Sequence, residues 1–429
     1  MSCKASFLSL LSVTFLLGCS GAMVQPSNGV SSISSTDGGG LGSTNGGGTS
    51  TPQTLNIVVK NLNTKYTDAN VFFTFRSAPV TGTINGQPLN LNQSYSIADI
   101  GSGLVLQSFL GGRIYFSLGT ALVGTDAPEP VNPSVENWGT RFDKMEMFYQ
   151  PGAVSVADMT SFDFFAIPMT IKTYQGSTLS KTLACKSPGN TVIAGLGALT
   201  KNDASVVLKT PQGQFVRVLG PNLAPAGKYL SFAPYIAATR SSGVNLHITG
   251  LFSRAGTTIP TMTQNYDFTS SFDASGNMHL SGGGTPYNGG SSVGPGHQIV
   301  IAANDLLNGI YSANPPYTVD GNAAKISDND VYAATVRDVL AGFSLGFVNS
   351  TVTDPNTGTP FRNEASNLWW ASPQAFGFLQ PNNVYYDPYA SYLKTVSDAY
   401  GSPFSDRWES VQAPLNSPIT TLEIDVLPD

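Results

Sequence analysis

From residue 54 onward the chain is written in short segments rich in β-branched and aromatic residues, each cut off by glycine or proline before a helix of useful length could form. That punctuation constrains the fold more than any other feature. Strands are expected at residues 55–61, 69–76, 113–118, 144–149, 163–173, 205–208, 213–218, 244–252, 264–272, 298–302 and 420–426. Gly112, Pro133, Pro151-Gly152, Gly176, Pro188-Gly189, Pro211 with Gly213, and Gly282-Gly283-Gly284 read as the turns between them. Two stretches read as helices instead. Asp328-Asn329-Asp330 offers N-caps for a helix over residues 331–340 or beyond, whose Val331, Thr335 and Val339 with Val336 and Leu340 form an apolar stripe. A second, over residues 388–400, carries Tyr389, Tyr392, Leu393 and Val396 on one side before Gly401 stops it. The expectation is a mainly β domain with helices placed late, long enough for two lobes. Charge is scarce in it: 21 Lys+Arg and 27 Asp+Glu occupy 11% of 429 positions, against about 25% in ordinary domains. With a net charge of -6 and no Lys/Arg cluster, the chain has no electrostatic footprint for nucleic acid.

The N-terminus reads as an export signal. Lys4 precedes an apolar run over residues 7–17 that ends in Leu16-Leu17-Gly18-Cys19. A bilayer-spanning helix needs about 20 residues, so residues 1–18 are expected to be a signal peptide rather than a membrane anchor. Leu-Leu-Gly-Cys resembles the bacterial lipobox, in which small residues fit the signal peptidase and the Cys19 thiol takes a diacylglycerol. An ordinary signal with an incidental cysteine is the alternative. Lipid at Cys19 would hold the protein to a membrane, each buried methylene contributing about 0.8 kcal/mol. Ser20 follows it, not the aspartate that marks inner-membrane retention, so the outer membrane or cell surface is the expected location. From Ser20 to Gln53, Gly, Ser and Thr fill 21 of 34 positions, and Asp37 is the sole charge. Such a segment buries no core and acts as a flexible tether with a reach near 30 Å. Residues 19–53 are thus the lipidated cysteine and linker, and the folded domain is expected over residues 54–429.

Removal of Cys3 and acylation of Cys19 would leave Cys185 alone, so no disulfide framework exists and the core must stabilise the fold. Cys185 reads as an inert buried thiol, since His247, His279 and His297 place no base pattern beside it. No Cys-x-x-Cys, no His-Glu-x-x-His and no His pair at helical spacing is present, so no metal is expected. Neither a phosphate-binding glycine loop with lysine nor a Gly-x-Ser-x-Gly elbow is present, and no cofactor is expected.

Two acids stand out in so uncharged a chain. Glu146 lies inside the apolar Lys144-Met-Glu-Met-Phe-Tyr149, and Asp163 inside Phe162-Asp-Phe-Phe-Ala-Ile-Pro168. Burying an unpaired carboxylate is costly, so acids in hydrophobic strands flag a function. They are 17 positions apart with Pro151-Gly152 between them, a spacing that lets adjacent antiparallel strands aim both into one cleft. Sugar hydrolysis needs such a pair, one acid to protonate the leaving oxygen and another to attack or to activate water. The competing reading is that each acid only pairs with Lys144, Arg141 or Arg113.

A resemblance tips the balance. The run Arg113-Ile-Tyr-Phe-Ser117, the Glu146 strand, Phe162-Asp163-Phe-Phe-Ala-Ile-Pro168, Asp338-Val-Leu-Ala-Gly-Phe343, Tyr389-Ala-Ser-Tyr392 and Ala399-Tyr-Gly-Ser-Pro-Phe-Ser-Asp406 resemble glycoside hydrolase family 64. These are β-1,3-glucanases with a thaumatin-like fold. The resemblance implies a β-sandwich lobe plus a second mixed α/β lobe, with a wide cleft between them for a β-1,3-glucan. It further implies inversion of configuration and release of short laminari-oligosaccharides. By the same resemblance Glu146 takes the general-acid place and Asp163 the general-base place. Phe148 and Gln150 stand where the family commonly has a sugar-contacting Thr and Asn, and no tryptophan lies between the two acids. Trp138, Tyr149, Trp369 and Trp370 are candidate groove aromatics, because pyranose faces pack on rings; one of Trp369-Trp370 is expected in the core. Asp406 matches an acidic position near the family's cleft, where it would bind a sugar hydroxyl. The implied partner is β-1,3-glucan and a monomer is expected; a non-catalytic glycan-binding lipoprotein or a structural envelope protein is the rival reading.

Overall fold

The computed structural model describes residues 53–252, 264–286, 294–328, 330–369, 375–379, 385–404 and 411–429. Cys19, the signal and linker sequences to residue 52, Trp370 and Asp406 lie outside the described residues. Among the described residues the strands form sheets of 12, six and three. The architecture is mainly β, as the segment pattern predicts.

The first core is built on the strand Leu55–Asn61, whose Leu55, Ile57 and Val59 alternate inward. It pairs antiparallel with Leu104–Leu118 and parallel with Thr421–Val426, which in turn pairs with Met169–Gln175. Leu104–Leu118 is a long strand that also carries Val71–Arg76 on one side and Arg141–Tyr149 on the other. Val156–Met159 follows as the next neighbour. The second core lies beneath an antiparallel meander running His247–Phe252, Gln264–Phe272, Met278–Pro286, Gly294–Ile301, Tyr317–Val319 and Asn322–Ala324. The helices Ala233–Ser242, Ala303–Ser312 and Val331–Leu345 contribute residues to it.

Val331–Leu345 starts where its cap residue predicts, with the Asp330 side chain accepting from the Ala333 amide, and ends on Gly346 in the left-handed conformation. Nearly all of its residues are buried, which is why the apolar stripe read from the sequence continues past Leu340. The second expected helix is shorter, Pro388–Val396, with Asp387 accepting from the Tyr389 and Ala390 amides. Among the described residues four helices were not legible: Gly189–Ala198, Ala233–Ser242, Ala303–Ser312 and the short Ser366–Trp369. The first is opened by Pro188 and begins at Gly189, a pair that reads as a turn in sequence.

Two glycine signals also need correcting. Gly282-Gly283-Gly284 is not a turn but the middle of Met278–Pro286. A Cβ there would lie 2.0 Å from the Asp267 carbonyl oxygen at Gly282 and 1.8 Å from the Gly294 oxygen at Gly283, so the glycines permit close approach of neighbouring strands. Gly112 likewise lies within Leu104–Leu118, at a register shift opposite Met147. The expected strand over residues 163–173 is in fact two, Phe164–Phe165 and Met169–Gln175, in different sheets. Pro168 cannot donate to a ladder, and the chain changes sheet there. The freed amides of Ala166 and Ile167 both donate to the buried Asp143 carboxylate, at 2.7 and 2.9 Å.

Candidate active site

Period-two alternation sorts the strand Arg141–Tyr149 into two faces. Asp143, Met145, Met147 and Tyr149 share one face; Phe142, Lys144, Glu146 and Phe148 share the other. Register places Arg113 beside Glu146 on one neighbouring strand and Asp158 beside it on the other. Arg113 Nε donates to Glu146 Oε1 at 2.9 Å, and the Tyr400 hydroxyl donates to Oε2 at 3.0 Å. Both oxygens of this acid are therefore engaged. The Glu146 side chain keeps 17% exposure, enough for a ligand to reach it.

Asp163 sits just before Phe164–Phe165, where the chain leaves one sheet for another. Its Oδ2 is 2.7 Å from Lys144 Nζ and its Oδ1 accepts from Asn222 Nδ2 at 2.7 Å. Burial pushes its carboxyl up, but Lys144 and Arg113 outweigh that and hold it down at about 2, so it is ionised near neutrality. The Asp163 side chain is 25% exposed while the Lys144 side chain is 2% exposed, so the carboxylate faces outward from a cation beneath it. Behind Lys144 lies the Phe164 ring, its centroid 4.3 Å from Nζ. Glu146 and Asp163 thus each lean on a cation, and the Arg113 charge reaches both.

The neighbouring Asp143 does a different task. It is buried, accepts from the Ala166, Ile167 and Lys144 amides, and burial raises it to about 6. Arg217, also fully buried, lies over the Phe142 and Phe164 rings and donates to the carbonyls of Pro130, Trp138 and Thr140. It ties the loop before the Glu146 strand to the sheet that carries Asp163.

Phe148 shares the Glu146 face and is partly exposed. Gln150 is exposed in the following turn, with its main chain fixed by Ser155, whose hydroxyl accepts from the Gln150 amide and donates to its carbonyl. Trp138 is partly exposed, its indole N–H buried without a protein partner. Tyr149 does not belong with them. It is 1% exposed on the opposite face from Glu146, its hydroxyl donating to the Gln53 carbonyl, so alternation along the strand removes it from any sugar site. Trp369 is likewise a core residue, 0% exposed, stacked on Phe347 and donating to the Phe361 carbonyl. Cys185 is the inert thiol expected: buried, with burial pushing it up to about 11. Asn222, Tyr400 and Asp158 were missed. Asp158 is 3% exposed within the apolar Val156–Met159, the same signal that singled out Glu146, and could have been found.

The fold is shared with solved β-1,3-glucanases. A laminaripentaose-producing β-1,3-glucanase in complex with laminaritetraose superposes with a TM-score of 0.57 at 15% identity, covering 88% of this chain and 99% of that one. The β-1,3-glucanase domain from Clostridium beijerinckii gives 0.54 at 16% identity, covering 87% and 98%. No curated protein matches the sequence. The class is a glycoside hydrolase, shown by the family that the sequence matches. The family model of the β-1,3-glucanases, glycoside hydrolase family 64, matches residues 47–284, more than half of the chain and a span that includes positions 146 and 163, and the chain belongs to that family.

Proposed function

We propose that this β-1,3-glucanase cleaves its glucan by single displacement, with Glu146 protonating the leaving glycosidic oxygen and Asp163 polarising the attacking water. Supporting it is the difference between the two acids' surroundings. Asp163 is held ionised by Lys144 and Asn222, as a base must be. Glu146 is instead paired with the more exposed Arg113, 25% open, and accepts from the neutral Tyr400 hydroxyl on its other oxygen; at 17% exposure it can take a proton from solvent and give it to the leaving oxygen. In an inverting pair the acids act from opposite faces of the sugar, with water between base and anomeric carbon. The proposed products are short laminari-oligosaccharides. Phe148 and the exposed Gln150 are proposed to meet the chain beyond the cleavage point, with Trp138 and Asp406 as further contacts. Cys19 is proposed to carry the lipid, holding the domain on its linker at the outer membrane or cell surface.

The test is reducing-end release from laminarin or curdlan. Glu146→Gln and Asp163→Asn should each lose about 10²–10⁴-fold in kcat with the fold intact. NMR of the first product anomer should show inversion. Binding without release by the wild type would instead select a glycan-binding protein. Incorporation of labelled palmitate, lost in Cys19→Ala, tests the anchor.

A further inference from the structure

Lys144 is the buried cation that meets Asp163, with 2% of its side chain exposed. An ammonium so placed is costly unless paired. Among the described residues its single ion-pair partner is Asp163 Oδ2 at 2.7 Å. The adjacent Asp143 is committed elsewhere, accepting three main-chain amides. The Phe164 ring centroid lies 4.3 Å from Nζ, and the strand at Lys144 is fixed by the pairing of Asp143 with Phe116, Lys144 with Tyr115 and Met145 with Ile114. Lys144 therefore has little freedom to leave, whereas Asp163 sits at the start of a sheet change, where the backbone alone would not fix its side chain.

We propose that Lys144 is a positioning residue for the general base, a buried cation that fixes Asp163 Oδ2 while Asn222 fixes Oδ1, so that the carboxylate presents one defined edge to the attacking water. This rests on the reading of Asp163 as the base. A carboxylate clamped at both oxygens has less rotational freedom to lose at the transition state. The same clamp keeps it ionised in acid, so the arrangement exchanges basicity for readiness over a wide pH range. Lys144 takes no part in bond making: the water proton goes to Asp163, and the ammonium keeps its own.

The experiment uses the full chain with Asp carboxyls labelled in ¹³C, Asp163→Asn serving to assign the signal, together with pH profiles of kcat/KM on laminarin. In the wild type the Asp163 signal should titrate below pH 3, and the acid limb of kcat/KM should lie as low. In Lys144→Met, which keeps most of the stem, both should move up by at least one pH unit, with kcat falling more than tenfold and KM little changed. Lys144→Arg should restore the low limb in large part. Titration of Asp163 in the ordinary carboxylate range in the wild type overturns the proposal, and that result needs no variant to fold. So does a folded Lys144→Met with an unmoved acid limb. Absence of glucan cleavage by the wild type, with the carboxyl still titrating below pH 3, would instead sink the catalytic reading and leave the clamp standing.

Discussion

Tyr400 is separated from Glu146 by 254 positions and Asn222 from Asp163 by 59, yet each donates a hydrogen bond to its acid. The acids were legible because a carboxylate inside an apolar strand is a local anomaly. Their donors were not, because an isolated tyrosine or asparagine in a loop carries no local signal; only folding brings it in. Tyr400→Phe removes one neutral donor from Glu146, and a loss of about 1 kcal/mol predicts a roughly fivefold fall in kcat with KM near its wild-type value. Steady-state kinetics on laminarin check it. Cys185 gives a second expectation at this scale. With its thiol raised to about 11 and buried, it should react with a thiol reagent at pH 8 only as fast as the protein unfolds. Reaction within seconds in native buffer would contradict that placement.

Elements show where reading a sequence by punctuation succeeds and fails. Glycine and proline did mark the hairpins at Pro151-Gly152 and Gly176, which link paired strands. The same signal misled at Gly282-Gly283-Gly284, where glycine serves strand contact rather than chain reversal. Gly283→Ala should therefore cost about 1–3 kcal/mol, read as a lower urea midpoint, though no turn is altered. The helix Pro388–Val396 offers a cleaner test. Its cap Asp387 is fully buried, and burial raises its carboxyl to about 7. A raised acid contributes stability that is present below its unfolded value near 4 and is lost as pH rises through about 7. Asp387→Asn keeps a good cap without the charge. The variant's melting temperature should depend less on pH between 5 and 8 than the wild type's, which calorimetry at both pH values will show.

For the whole molecule the opposing acids define a stability window. Asp143 and Asp387 favour the fold at low pH, losing their contribution as pH rises through about 6 and about 7. Asp163 is held down at about 2 and Asp429, beside Arg141 and Lys65, below its ordinary value, so their contribution is present above about 4 and lost as pH falls through those lowered values. Because Asp143 and Asp387 begin to lose their contribution once the unfolded chain ionises near pH 4, the melting temperature should peak near pH 4 and decline on either side; a maximum above pH 7 would contradict the burial of Asp143 and Asp387. Thr421–Val426 lies between Leu55–Asn61 and Met169–Gln175, so the middle of the sheet is vacant until residues beyond 420 have left the ribosome. Nascent chains shorter than that cannot close their first core. If residues 1–18 direct export, as the sequence reading expects, such late closure would leave the polypeptide slack enough to thread a translocon before it folds.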